Sequence, residues 1–332
     1  MKYCCFIIPY FGKLPTYFQL FLNSCKLNPE YEWLLFTDDN TNYVFPINVK
    51  KIFCTFTEFR DKIQKKFDFS INLERPYKLC DYKPCYGYVL EEYLKGFIYW
   101  GYCDIDTLMG CLNNFLPQIF NEDYDKIFCL GHMSLYKNTR ECNELFMKDI
   151  DGISYYHDAF TTQKIMYFDE EFKGTHNINH IFNYFNKKIY IEDLSLNFSI
   201  FFNQFRRVIL RWGYSPLYNI EKPADTLCVW EKGHVFRYRV EGNKLMKEEF
   251  PYVHLQSRKM KVRLNINNLL DITLIKIVPN SFRPCEVDSI FTPNDFYNIR
   301  RKYFCTHILE LWYKSYKRRL ISKIKRLLHG NQ

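Results

Sequence analysis

The 332-residue chain has no C-x-x-C pair, no apolar run of membrane-spanning length and no glycine-rich loop behind its first strand-like segment. The first absence removes the usual cysteine framework of a structural zinc site. The second excludes a transmembrane helix, which needs about 18 consecutive apolar residues. A signal peptide is not expected either: the apolar stretch "YCCFIIPYFG" is short, is broken by Pro9 and Gly12, and is followed by no small-residue cleavage site. The third absence speaks against a nicotinamide or flavin enzyme, because "PYFGKLPT" offers a single glycine where a dinucleotide fingerprint has several.

Acidic charge also runs out along the chain. No Asp or Glu follows Glu310, while Lys314, Lys317, Arg318, Arg319, Lys323, Lys325 and Arg326 do; without these seven bases the net charge of +9 falls to +2. Trp312, Tyr316, Leu320, Ile324, Leu327 and Leu328 recur among them at helical spacing. The tail reads as a basic amphipathic helix suited to an anionic membrane surface, or else as a helix docked on its own domain with a solvated basic face. Nucleic acid is not expected as a partner, since no basic stripe marks the rest of the chain. The thirteen cysteines are an odd number, set mostly in apolar segments. They read as reduced core thiols, which points to a cytoplasmic protein, and the basic tail would hold it peripherally on the inner face of the cell membrane.

What is present is an α/β alternation. With 47% hydrophobic residues the chain can bury a sizeable core. Residues 3–8 form a continuous apolar run, as a buried parallel strand does, residues 14–27 carry a helical apolar pattern, and residues 31–36 form a second apolar strand ended by "TDDN". A strand over 49–54 and a helix over 57–66 continue the alternation. Ligands of such sheets bind beyond the carboxyl ends of the strands, which makes Pro9, Tyr10, Thr37, Asp38 and Asp39 candidates for a binding edge.

Tyr86, Val89, Leu90, Tyr93, Leu94 and Phe97 follow the spacing of an amphipathic helix that Gly96 would stop. The strand "FIYWGYC" then delivers Asp104 and Asp106, two acids on either side of one isoleucine. Residues two apart on a strand share a face, so both carboxylates can meet one ligand. Two hard anionic oxygens suit Mg²⁺ or Mn²⁺ whose shell a phosphate completes. The structural alternative is that Asp106 or Thr107 caps a helix starting near Leu108.

"CDID" after an aromatic strand, together with the opening "FIIPYFG" and "LLFTDD", resembles the GT-A glycosyltransferases. The likeness is closest to bacterial enzymes of cell-surface polysaccharide assembly and to the related group with a "D…R…GG…Y.D.D" signature. It covers about residues 1–260 in organisation and is specific over 77–110. The resemblance implies a GT-A, Rossmann-like α/β fold with a mixed central sheet and flanking helices, spanning residues 1–265, and a C-terminal extension over 266–332. It further implies that Asp104 and Asp106 are the DxD pair holding the metal of a nucleotide-sugar, a UDP-sugar first among donors, and that Asp81 and Lys83 contact that donor. The related group has an arginine three residues after its first acid and a double glycine before the DxD strand. Here Lys83 follows Asp81 by two, and "YWGYC" has only Gly101.

By the same resemblance, His254 in "YVHLQSRKMKVR" would be a third metal ligand, and a nearby cation, Lys259 or Arg258, would meet the diphosphate. A neutral imidazole can complete a Mn²⁺ shell; the alternative is an ordinary strand histidine. His132, Ser134 and Asn138 follow an expected strand over 126–130 in what reads as a polar loop, either facing the acceptor or simply on the surface. Asp158, in "YYHDAFTTQ", is the candidate acceptor-side carboxylate. Residues 229–245 alternate as a hairpin turning at Gly242 and Asn243. Aromatic residues make up 19% of the chain; some could stack on sugar rings, while most must be core. The function expected is metal-dependent transfer of a sugar to a cell-surface glycan or lipid-linked acceptor. The alternatives are a nucleotidyltransferase or sugar-phosphate enzyme, and a non-catalytic membrane-surface adaptor.

Overall fold

The computed structural model describes residues 2–170, 175–197, 203–209, 219–222, 224–242, 244–256, 258–264, 272–285, 292–296, 299–304 and 306–329. Its first strands are β1 (Lys2–Pro9), β2 (Tyr31–Thr37), β3 (Val49–Phe53), β4 (Phe97–Cys103), β5 (Thr107–Met109), β6 (Lys126–Ile127), β7 (Met133–Lys137) and β8 (Ile189–Tyr190). Seven of them form one sheet in the order β3-β2-β1-β4-β7-β6-β8. Pairing is parallel from β3 to β4, antiparallel on both sides of β7, and parallel again between β6 and β8. This is a mixed α/β architecture. β1 is apolar from Cys4 to Ile8 because both its faces are covered there: Cys5 and Ile7 enter one core, Cys4, Phe6 and Ile8 the other.

A second sheet follows. After two short strands, β9 (Val208–Ile209) and β10 (Asn219–Ile220), the chain runs through β11 (Thr226–Glu231), β12 (His234–Glu241), β13 (Lys244–Phe250), β14 (Tyr252–His254), β15 (Lys261–Val262), β16 (Leu274–Val278) and β17 (Ser281–Pro284). Six of these form the sheet β13-β12-β11-β16-β17-β15. β16 and β17 complete a sheet begun by β11, so a boundary at residue 265 falls inside one sheet. The strand that leaves this sheet is β14, which pairs antiparallel with β5.

Several expectations are corrected. Tyr86, Val89, Leu90 and Leu94 are buried and Tyr93 and Phe97 half-buried, but no continuous helix forms: a turn at Tyr86–Val89 is followed by a 3₁₀ turn at Glu91–Tyr93, with Leu90 between them at φ −115°. The strand expected over 126–130 stops at Ile127, where Phe128 takes φ +68°, and the "polar loop" behind it is β7, with Ser134 buried opposite Tyr102. Residues 229–231 belong to β11, so 229–245 is part of a three-stranded meander. One turn uses Lys232 and Gly233, both at positive φ, and the other uses Gly242 at φ +59°; Asn243 lies outside the described residues. No disulfide joins the cysteines among the described residues. None of the described helices is long and apolar enough to cross a membrane.

One close approach carries a prediction. A Cβ on Gly87 would stand 2.2 Å from Cε2 of Trp100, whose fully buried ring stacks on Tyr136 at 4.6 Å between centroids. Gly87→Ala is expected to cost about 1–3 kcal/mol by overpacking, read as a lower urea midpoint. An unchanged midpoint would show that the ring relocates freely.

Candidate functional site

Because β1 is central in the sheet, with β2 on one side and β4 on the other, the carboxyl ends of β1 and β4 flank the crevice where open parallel sheets take ligands. Pro9 and Tyr10 stand at one end and Asp104 at the other. Asp104 and Asp106 lie in the turn between β4 and β5, not on the strand itself. Three contacts hold that turn: Asp104 N–H donates to the His132 carbonyl (2.9 Å), Thr107 Oγ1 to the Asp104 carbonyl (2.7 Å), and Leu255 N–H to the Asp106 carbonyl (2.7 Å). The segment beyond is strand β5, which leaves no helix for these acids to cap.

The β5–β14 register sets His254 opposite Thr107. Its Nε2 thereby comes 3.3 Å from Asp106 Oδ1 and 3.9 Å from Asp104 Oδ2. Its Nδ1 is 3.1 Å from Asn197 Oδ1. An amide oxygen can only accept, so Nδ1 gives its hydrogen to Asn197, and Nε2 is the nitrogen left facing the carboxylates, where it holds a proton or, once that proton is lost, offers a lone pair to a cation. One ligand atom from each of Asp104, Asp106 and His254 lies within 4.8 Å of the others, a grouping that could hold a metal ion. Burial alone would depress the basicity of His254, yet Asp106 and then Asp104 raise it above the ordinary histidine range. Carboxylates that draw a proton onto a buried imidazole offer the same stabilisation to a metal cation in its place.

A second cluster adjoins the first. Lys83 Nζ is 2.9 Å from Asp104 Oδ1, 2.7 Å from the Gly131 carbonyl and 3.5 Å from Asp169 Oδ2. It occupies the Asp104 oxygen that His254 does not face. Burial works against its charge, but Asp104 and Asp169 outweigh it and keep the ammonium well above the usual lysine range. Asp169 is pushed well up by burial despite Lys83, and burial also raises Glu170, which accepts the Gly131 N–H at 3.1 Å. A Cβ on Gly131 would come 2.7 Å from Asp169 Oδ2, so a glycine is what lets the two acids approach. His132, stacked on His254 at 4.5 Å, is held neutral by burial and by that neighbour.

Of the expected site residues, Pro9, Tyr10, Lys83, Asp104, Asp106 and His254 line one cavity of about 900 Å³. The others lie elsewhere. Asp38 and Asp39 are supports: Asp38 accepts Gly12 N–H (2.7 Å) and Asp39 accepts those of Leu14 (2.8 Å) and Thr41 (2.6 Å), shaping the loop behind Tyr10. Asp81 is corrected to a buried clamp, pairing with Lys78 at 2.6 Å and accepting the N–H groups of Met166 (2.9 Å) and Phe168 (3.0 Å). Lys259 is exposed and pairs with Glu310 at 3.5 Å, because the chain turns at Gln256 (φ +50°) after β14. Asp158 is exposed on the helix Tyr155–Thr161, whose inner face is Tyr155, Ala159 and Phe160. Of the acceptor-loop candidates, His132 lines the cavity, while Ser134 is buried in β7 and Asn138 donates to the Leu94 and Phe97 carbonyls. Sequence reasoning missed Asp169, Glu170 and Asn197, all of which line the cavity. The adjacent acids of "YFDEEF" were the available signal for the first two; Asn197 carried none.

Residues 6–286 match a family described as "Family of unknown function (DUF6625)", and the chain belongs to that family. No curated protein matches it.

The clamp role of Asp81 is testable without any ligand. Asp81→Ala leaves the Lys78 ammonium buried and unpaired and is expected to cost about 3–5 kcal/mol, measured by urea unfolding of the protein alone. Wild-type stability would return Asp81 to the ligand-binding residues.

Proposed function

We propose that this DUF6625 member is a metal-dependent glycosyltransferase with a GT-A-type fold, which moves a sugar from a nucleotide-diphosphate donor, a UDP-sugar first, to a cell-surface glycan or lipid-linked acceptor. The observation that carries this reading is the convergence of Asp104, Asp106 and His254 at the carboxyl ends of β1 and β4, with the His254 tautomer set by Asn197. Two carboxylate oxygens and a neutral imidazole fit Mn²⁺ or Mg²⁺ with positions left for phosphate oxygens. Asp104 Oδ2, Asp106 Oδ1 and His254 Nε2 would hold the ion, which when bound supplies positive charge to a departing diphosphate.

The chain's own groups do the rest. Lys83, held by Asp104 and Gly131, keeps a fixed cation beside the carboxylates where a diphosphate would gather negative charge. Pro9 and Tyr10 give the base or ribose a wall at the end of β1. Asp169 and Glu170 line the same cavity and are the carboxylates available to take the proton of an attacking hydroxyl, the part expected of Asp158. Glu170 has one oxygen on the Gly131 N–H and stands at the less buried end of the pair.

Calorimetric titration with UDP, with and without Mn²⁺, is the direct test. Binding should require Mn²⁺ and vanish in Asp104→Asn and Asp106→Asn, which remove charge with little change in volume. Asn197→Ala should weaken Mn²⁺ binding by about 10–100-fold, because the ligand histidine loses its orienting partner. UDP binding that ignores the metal, or wild-type binding in both Asn variants, would reject the assignment. Slow donor hydrolysis over a panel of UDP-, GDP- and CMP-sugars identifies the donor. Glu170→Gln should lower that hydrolysis by about 10²-fold or more and leave Mn²⁺-dependent UDP binding intact; full hydrolysis would remove Glu170 as the base.

A further inference from the structure

The last described element is a 24-residue helix, Thr306–His329, about 36 Å long. Among its described side chains, up to Ile324, contact with the body is confined to its beginning. Ile308 is buried and Leu311 and Ser315 are half-buried; at about 100° per residue these three share one side. On another side Leu309, Trp312, Tyr313, Tyr316, Leu320 and Ile324 form a stripe about 120° wide that faces away from the body. All six are exposed, Trp312 to 48%, Tyr316 to 67% and Ile324 to 45%. Lys314, Lys317 and Arg318, with Ile321, occupy the rest of the surface, Arg319 borders the stripe and Lys323 lies within its arc; all of them are exposed. From Leu309 to Ile324 the helix therefore does not lay this stripe on the domain from which it grows.

We propose that this stripe lies on an anionic lipid surface. Charge selects the occupant. Two copies of the helix meeting stripe to stripe would bring their bases together, with no acid beyond Glu310 to compensate. Nucleic acid would take the bases and leave a tryptophan, two tyrosines and three aliphatic side chains in water. A lipid interface takes both: aromatic rings and leucines enter at headgroup level while the flanking ammonium and guanidinium groups meet phosphate and carboxylate headgroups. With this many bases the helix lies in the interface and does not cross it.

The root of the helix is close to the candidate site in the chain's own connectivity. Glu310 is 3.2 Å from His307 Nδ1 and 3.5 Å from Lys259 Nζ, and Lys259 lies five residues beyond His254. A surface-bound helix would therefore hold the β14 side of the cavity at a fixed relation to the lipid, where an acceptor anchored in that surface would be met. This last consequence rests on the glycosyltransferase reading; the membrane contact does not.

Co-sedimentation of the full chain with vesicles tests it independently of activity. Phosphatidylcholine vesicles containing one third phosphatidylserine should carry the protein down, and pure phosphatidylcholine vesicles should carry far less. The triple variant Lys317→Gln, Arg318→Gln, Arg319→Gln keeps good helix formers and should lower partitioning about a hundredfold. Trp312→Ser with Tyr316→Ser, both at exposed positions, should also lower it. Equal sedimentation on both vesicle types, or unchanged partitioning of the triple variant, would overturn the proposal. Failure to sediment would overturn it too, whether the full chain instead dimerises through the stripe in an ultracentrifuge or shifts a short DNA duplex at the same salt.

Discussion

The candidate site depends on the pairing of β5 with β14. Only three residue pairs are involved, Tyr252–Met109, Val253–Leu108 and His254–Thr107, yet they join the first sheet to the chain leaving the second and set His254 directly behind the DxD turn. A slip of one residue would point every side chain of β14 to the opposite face and carry His254 away from the acids. Burial guards the register: Val253 and Leu108 enter the core shared by Trp230, Leu196 and the helix Phe18–Lys26. The indole N–H of Trp230 donates to the Met109 carbonyl at 2.8 Å, so the second sheet grips β5 from behind. Gly110 lets the strands meet, since a Cβ there would lie 2.4 Å from the Phe250 carbonyl.

Negative charge is concentrated on this junction and has to be compensated, because a buried unpaired carboxylate is costly. Lys83 answers part of it by touching both Asp104 and Asp169. Glu170 is held by a backbone N–H, and burial pushes both it and Asp169 toward their neutral forms. His254 answers the rest, its Nε2 facing Asp106 and Asp104, which raise its basicity above the ordinary histidine range. Two carboxylates thus share one imidazole nitrogen, while the other nitrogen of the ring gives its hydrogen to Asn197.

Much of this was legible in the sequence where the cause is local. The apolar runs of β1 and β2 announce strands covered on both faces, and "FIYWGYC" ending in acids announces a strand end at a ligand edge. His254 was legible as the one histidine coupled to downstream cations, although Lys259 goes elsewhere once Gln256 turns the chain. In 155–161 the residues Tyr155, Ala159 and Phe160 mark an inward helical face, and Asp158 falls off it; its carboxylate is on the outside for a reason helical spacing already contains. The remainder was not legible because its causes are remote. Asp81 is a clamp only because the amides of Met166 and Phe168 return to it from 85 and 87 residues away. The same return delivers Asp169 and Glu170 to the cavity, and no pattern around residue 169 encodes it.

That long-range return bears on how the two halves of the site act together. The Asp81–Lys78 pair and the amides it receives tie down the backbone of residues 166–168, with Phe168 in the core, so Asp169 and Glu170 emerge from an anchored segment, not a free loop. Tyr102 extends the anchor, its hydroxyl donating to the Asp169 carbonyl at 3.1 Å from the strand that ends in Asp104. Lys83 sits 5.1 Å above the Tyr102 ring and touches the carboxylates on both sides. A ligand that drew Lys83 toward a phosphate would loosen Asp104 and Asp169 together, and a cation on Asp104 would release Lys83 from part of its attraction. Charge on one side of the cavity is thus tied to charge on the other through a single ammonium.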